Sequence, residues 1–227
     1  MPLNPVKGNM YSFVSHTFNI IKGRCNHNCD YCFMKRYPQK DVYFDEKEID
    51  TDVGTDLGRK NLIFVGSSCD MFAEIMPESW IIRVLDYCKR FPENTYLFQT
   101  KNPLRFTDLR NKLISMNCII GTTIETNRTG FSYNAPTISE RIRGMEIKGF
   151  RKFITIEPII DFDVTHLVEL ILRTSPEFVN IGADSNKNKN YNLPEPSAFK
   201  VENLIKELEK FTIVKKKENL NRILLKK

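Results

Sequence analysis

Short apolar runs rich in β-branched and aromatic residues recur along this chain, at residues 12–20, 61–66, 95–99, 118–124, 152–157 and 178–182. Runs of that length and composition predict buried strands. Between them the apolar positions change to a helical period. Residues 78–90 place Trp80, Ile81, Val84, Leu85 and Cys88 on one face. Residues 137–148 open with Thr137 three positions before Glu140, the spacing of a capping box. Residues 162–173 and 196–211 are further amphipathic segments, and 104–115 is a weaker one.

Repeated strand–helix units predict a parallel sheet covered by helices, because parallel neighbours need crossover connections. Six units are too few for an eight-stranded barrel. The expectation is an open α/β architecture, a partial (β/α)6 barrel over residues 1–211 with a basic C-terminal tail over 212–227. Such sheets bind ligands beyond the carboxyl ends of their strands. The distinctive polar clusters fall there: residues 24–32, 67–70, 100–102, 125–127, 157–158 and 183–186. Residues 41–60, 128–136 and 183–196 do not fit the repeat, and the last two are read either as lids or as plain surface loops.

Composition narrows the class. Apolar residues make up 41% and charged residues 27% of 227 positions, ordinary globular usage that removes disordered and fibrous classes. No apolar run reaches membrane-spanning length and residues 1–10 do not read as a signal peptide, so a soluble, cytoplasmic protein is expected. The net charge of +6 is uneven. Residues 197–227 hold nine basic and four acidic side chains, which leaves the body of the protein close to neutral. That strip is either a solvated helix with its tail or a contact for a polyanion.

Six cysteines without a secretory signal argue against a disulfide framework. Cys69, Cys88 and Cys118 lie in apolar surroundings and read as small buried hydrophobes. The other three crowd into Cys25-Asn-His-Asn-Cys29-Asp-Tyr-Cys32. One loop with that spacing can wrap three thiolates around a metal centre, either an iron–sulfur cluster or zinc. Zinc would need His27 or His16 as a fourth ligand and would make the chain a zinc-stabilised binding module.

The C-x3-C-x2-C spacing after a first strand, with Tyr31 before the last cysteine, resembles the signature of radical S-adenosylmethionine (SAM) enzymes. Later segments are similar to phage Gp37/Gp68-like, three-Cys-motif, DUF5131-type proteins. They are residues 19–32, Gly66-Ser-Ser-Cys-Asp-Met-Phe72, Thr100-Lys-Asn-Pro103, Gly121-Thr-Thr-Ile-Glu-Thr-Asn127, Ile156-Glu-Pro-Ile-Ile160 and Ile181-Gly-Ala-Asp-Ser185. The resemblance implies that Cys25, Cys29 and Cys32 bind a [4Fe-4S] cluster, that SAM occupies its open iron, and that an external electron donor drives formation of a 5′-deoxyadenosyl radical. It further implies strand-end groups for SAM: Tyr31 beside the cluster and adenine, Ser67, Ser68 and Asp70 for the ammonium, and Thr100 at the third strand end; Glu125 and Asn127 are assigned to SAM, the two strand-end carboxylates Glu125 and Glu157 being suited to ribose hydroxyls or a substrate amine. Glu157 is assigned to SAM or substrate, and Lys101 to a carboxylate of either. These two are also the candidate catalytic residues.

For several of these residues the chemistry alone leaves a second reading. Tyr31 can be a core aromatic, Asp70 a turn cap, Lys101 a solvent-facing cation, and Arg141 a helix-surface salt bridge. Asp184 stands where related sequences carry Glu. The last cysteine is Cys118, which leaves no C-terminal set for a second cluster. The phage-type resemblance and the basic strip point to a nucleobase or nucleotide in DNA as substrate. Radical chemistry on a peptide or small metabolite is the alternative, with a partner protein supplying substrate binding.

Overall fold

The computed structural model describes residues 3–38, 40–50, 54–129, 134–185 and 193–225. In chain order the strands are β1 (Asn4–Pro5), β2 (His16–Phe18), β3 (Ile21–Lys22), β4 (Tyr43–Phe44), β5 (Leu62–Val65), β6 (Thr95–Gln99), β7 (Cys118–Thr123), β8 (Arg151–Ile156), β9 (Phe178–Ile181) and β10 (Ile213–Lys216). The α-helices are α1 (Glu78–Lys89), α2 (Arg105–Asp108), α3 (Arg110–Leu113), α4 (Ile138–Met145), α5 (Val164–Thr174), α6 (Ala198–Leu208) and α7 (Asn221–Leu224). Among the described residues one sheet runs β1-β2-β5-β6-β7-β8-β9-β10, parallel from β2 to β10 with β1 antiparallel at the edge. The two edges do not pair, so the barrel is partial and open.

The alternation of side chains along the strands builds two cores. Outward residues such as Ile63, Phe98, Ile120, Ile154 and Val179 pack under the helices. Inward residues Phe64, Leu97, Ile119, Phe153 and Phe178 fill the concave side, closed from below by Tyr11 and Val14. Gly121 on β7 is small for this reason: a Cβ there would lie 2.1 Å from the Phe153 ring. The plug occupies the amino-terminal half of the strands, so space for a ligand is left at their carboxyl ends. Thr137 caps α4 by accepting from the Glu140 amide while the Glu140 carboxylate reaches back, as the sequence predicted.

Three expectations change. The first strand is three residues long, because residues 11–14 turn beneath the sheet to plug it, with the Val14 amide donating to the Tyr11 carbonyl at 3.1 Å. Segment 104–115 breaks at Leu109 into two single-turn helices. Residues 213–225, expected as part of a tail, join the fold. β10 pairs in parallel with β9 from Ile213↔Phe178 to Lys216↔Ile181, and Leu220 and Ile223 are buried after it. Lys215 reaches inward, 4.1 Å from the Phe13 ring centre and 4.4 Å from that of Phe178, and burial lowers its pKa. Part of the basic strip, Ile213–Lys216, is thus the seventh parallel strand. No helix among the described residues is long and apolar enough to cross a membrane.

A chain ending at Thr212 would lose β10 and two fully buried aliphatic side chains, each worth about 1.5–3 kcal/mol. Urea unfolding of the truncated protein is expected to show a loss of at least about 3 kcal/mol; an unchanged midpoint would return the segment to appendage status.

Candidate active site

The cysteine loop begins at Gly23, whose φ of 101° lets it pass the Asp41 backbone; a Cβ there would lie 2.4 Å from the Asp41 carbonyl oxygen. Asn28 takes a left-handed conformation, and the Cys32 amide closes a turn on the Cys29 carbonyl at 3.1 Å before a 3-10 turn at Phe33–Arg36. Cys25, Cys29 and Cys32 are free thiols that line one cavity of about 460 Å³ over the carboxyl ends of the strands. Burial, with the nearby Asp70 charge, pushes the Cys25 thiol up to about 11. Burial also raises Cys29, against the pull of Lys101. A coordinating metal reverses that balance, since it deprotonates a ligating thiol outright. Neither histidine proposed for zinc joins the triad: His27 Nε2 is bonded to Asp70 at 2.8 Å, and His16 Nδ1 meets the Ser15 hydroxyl at 3.0 Å. Among the described residues no three His, Cys, Asp or Glu side chains converge on a single-ion site. Three thiols of one loop around a shared cavity suit a cluster that has one open corner, and although the buried His27 Nδ1 has no hydrogen-bond partner, no histidine among the described residues converges with them on a single-ion site.

Asp70 ties this loop to the sheet. Its Oδ2 accepts from His27 Nε2 at 2.8 Å, from the Thr100 hydroxyl at 2.9 Å and from the Lys101 amide at 2.9 Å, while Oδ1 accepts from the Phe72 amide at 3.0 Å. Burial pushes this carboxyl up, but the His27 bond and charge and the Lys101 and Thr100 donors outweigh it and hold the pKa below the ordinary range. Four donors reach the carboxylate, which also borders the cavity, so the role the structure gives Asp70 is that of a clamp on the cysteine loop. Thr100 is likewise engaged on both sides, donating to Asp70 and accepting from the Asn102 amide at 2.8 Å. Ser67 and Ser68 do line the cavity, fixed by Asn19 at 3.1–3.2 Å.

A buried ion pair lies under the loop. Glu125 and Arg141 meet at 2.7 Å with both side chains 0% exposed, and Arg141 also donates to the Thr123 carbonyl at 3.0 Å and the Pro136 carbonyl at 2.8 Å. Lys101 stands 3.8 Å from Glu125, and the Tyr31 hydroxyl donates to the same carboxylate. Burial raises the Glu125 pKa, but Arg141, Lys101 and Tyr31 hold it below the ordinary range. Two assignments therefore fall. Glu125 is buried against protein partners and does not line the cavity, where the sequence placed it for SAM, and Arg141 is no surface residue. Lys101 and Tyr31 line the cavity, the ammonium 5.3 Å from the ring centre. Asn127, which the sequence also assigned to SAM, does not line the cavity: it joins the Asp163 amide at 2.9 Å and His166 at 3.0 Å at the start of α5.

The opposite wall is built around Glu157. Its carboxylate accepts from Lys217 at 2.8 Å, Asn9 at 3.0 Å and Asn219 at 3.5 Å, and Asn9 and Asn219 also reach the Ser185 hydroxyl. Gly182 makes room, since a Cβ there would come within 2.9 Å of Glu157 Cδ. Asp184 lines the same wall and is mostly buried. Tyr11 donates to Gln99 at 2.7 Å, and Gln99 donates to Thr123 at 3.0 Å, forming the floor. Sequence reasoning missed His27 as a clamp and Asn9, Gln99, Lys217 and Asn219 as wall or floor. It also missed that Cys69, though buried as expected, borders the cavity near Cys25. The lid readings at 128–136 and 183–196 fall partly outside the described residues, at 130–133 and 186–192.

Arg141→Leu leaves Glu125 a buried charge with a lost partner and is expected to cost about 3–5 kcal/mol in urea unfolding. Adding Glu125→Gln should recover much of that loss; equal losses in the single and double variants would contradict the pairing. Because the Asp70 pKa is lowered on folding, its stabilisation is full above the unfolded carboxylate value of about 3.9 and lost as pH falls through the lower folded value. Asp70→Asn should therefore flatten the acid limb of the stability profile, and an unchanged limb would deny the clamp.

A family model described as "Protein of unknown function (DUF5131)" matches residues 9–190. No curated protein matches. Among solved structures, the chain is similar to a doubly substituted spore photoproduct lyase with bound AdoMet and dinucleoside spore photoproduct, at 12% identity and a TM-score of 0.62 over 91% of this chain and 78% of that one. It is similar to spore photoproduct lyase complexed with the dinucleoside spore photoproduct at 10% identity and a TM-score of 0.61, with the same coverage. A singly substituted form of the lyase gives 10% and 0.60, again over 91% and 78%. At these identities the likeness concerns the fold. The chain belongs to the DUF5131 family and has a mostly parallel, open α/β fold like that of the radical SAM enzyme spore photoproduct lyase.

Proposed function

We propose that this chain is a radical SAM enzyme that abstracts hydrogen from a nucleobase or nucleotide, including one within DNA. The observation that carries the reading is the triad: Cys25, Cys29 and Cys32 rise from one loop into one cavity, and among the described residues no histidine converges with them on a single-ion site. A [4Fe-4S] cluster on these thiolates, with SAM at its open iron and an external one-electron donor, would supply cleavage of the sulfonium carbon–sulfur bond to methionine and a 5′-deoxyadenosyl radical.

The protein's own share is position and exclusion. Asp70 and His27 hold the loop against the ends of β5 and β6, so the three sulfurs keep their spacing. Lys101, packed beside Tyr31 and Glu125, presents a cation to the cavity suited to a carboxylate. Ser67 and Ser68 offer hydroxyls fixed by Asn19. The Glu157 network, farther along the wall, is a set of amide donors, a carboxylate and an ammonium, a composition suited to the polar edge of a base. A nucleotide substrate is supported by this wall and by the dinucleoside bound in structures of similar fold.

The test is anaerobic incubation of reconstituted protein with SAM, dithionite and nucleosides or DNA, followed by mass analysis. 5′-Deoxyadenosine is expected from the native chain, with deuterium carried over from a labelled nucleotide. Cys25→Ala, Cys29→Ala and Cys32→Ala should each abolish it, while Cys88→Ala and Cys118→Ala keep their iron. Stoichiometric zinc in place of iron would overturn the chemistry, and deuterium carried over only from a peptide or metabolite would overturn the substrate class.

A further inference from the structure

Directly after the triad the chain presents an uncommon surface. Phe33 is 47% exposed and Tyr37 58% exposed, on and just after the 3-10 turn at Phe33–Arg36. Large aromatics so exposed add little to the core. They alternate with Lys35 and Arg36, both exposed, and residues 33–40 carry three cations and no acid. Phe33 and Arg36 line the cavity, and the exposed Lys7 lines it also. Among the described residues none of Lys7, Lys35, Arg36 and Lys40 is paired with a carboxylate; Arg36 donates to the Ser185 carbonyl at 3.2 Å and Lys35 to that of Asn28 at 3.4 Å. In the basic strip of the sequence Lys215 lies against Phe13 and Phe178, and Lys200, Lys210, Lys217 and Arg222 meet carboxylates, while Lys206 and Lys216 are exposed but do not line the cavity. At the rim, cations without a carboxylate partner and exposed aromatic side chains coincide at the edge of the cavity.

We propose that this rim is a docking surface for single-stranded nucleic acid, with phosphates on Lys7, Lys35 and Arg36, bases stacked on Phe33 and Tyr37, and one nucleotide passed into the cavity. Interleaved cations and aromatic faces suit such a strand, because every base has a face to stack and every linkage a charge to neutralise. An acidic protein would use the cations but not the aromatics. Continuity with the cavity sets the rim apart from an ordinary solvated turn. The proposal rests on the nucleotide reading above for its occupant, yet it concerns binding and needs neither reductant nor turnover.

The experiment is fluorescence anisotropy of a labelled oligothymidylate with the SAM-loaded holoprotein across a salt series. Phe33→Ala is expected to weaken binding about tenfold, the scale of one lost stacking contact, with the salt slope unchanged. Lys35→Glu with Arg36→Glu should weaken it further and reduce the slope by about 1.4, the value for two phosphate contacts on a single strand. Lys206→Glu, exposed on α6 away from the mouth, is the charge control and should stay within twofold. Equal thermal melting would show that the rim variants fold. The proposal is overturned if the rim variants bind within twofold of the native chain, or if polyglutamate binds as tightly as the oligonucleotide, which would assign the rim to an acidic protein. 5′-Deoxyadenosine formation with unchanged rim binding would sink this proposal alone, whereas rim-dependent binding without any SAM cleavage would sink the radical reading and leave the rim standing.

Discussion

The carboxylate of Asp70 is the constraint on which the site depends. A loop with cysteines at three- and two-residue intervals has no regular structure to hold it, since backbone turns fix only neighbouring residues. Asp70 supplies the missing long-range tie: it stands after β5, grips His27 inside the loop, and takes the hydroxyl and amide offered by the end of β6. One side chain thereby fixes the loop to two strand ends at once. Charged hydrogen bonds shielded from water are stronger than neutral ones, which makes a single residue sufficient for the task.

Beneath that clamp, Glu125 and Arg141 occupy a place where an apolar pair would pack as well or better. What the charges provide is orientation. Glu125 receives Tyr31 from the cysteine loop and stands near Lys101 from the end of β6, while Arg141 holds the carbonyls of Thr123 and Pro136. The aromatic plug below keeps the cavity shallow and confines it to the strand ends. Loop, clamp, ion pair and plug thus form one column, with the cavity at its top.

Much of this was legible in the chain because it is local. Strand periodicity, the Thr137–Glu140 cap and the cysteine spacing are set by near neighbours, and the strands at β5 to β9 fall where the apolar runs predicted. Roles that depend on long-range pairing were not legible. Asp70, Glu125 and Asn127 sit at strand ends, as the open carboxylates and amides of a ligand site would. Only the fold shows that His27, Arg141 and Asp163 reach them first. The C-terminal segment misled for a related reason. Its charge density hid a four-residue strand, because Lys215 in it and Lys217 just after it set their ammonium groups over the rings of Phe13, Phe178 and Tyr11.

The central claim is that three thiolates of one loop hold a cluster whose open corner takes SAM. Electron paramagnetic resonance of the dithionite-reduced holoprotein, recorded before and after adding SAM, tests it most directly. The account predicts a reduced [4Fe-4S] signal, with about four irons per chain, whose g-values shift when SAM binds the open iron. A signal indifferent to SAM, or a chain that holds zinc and gives no signal, would contradict it.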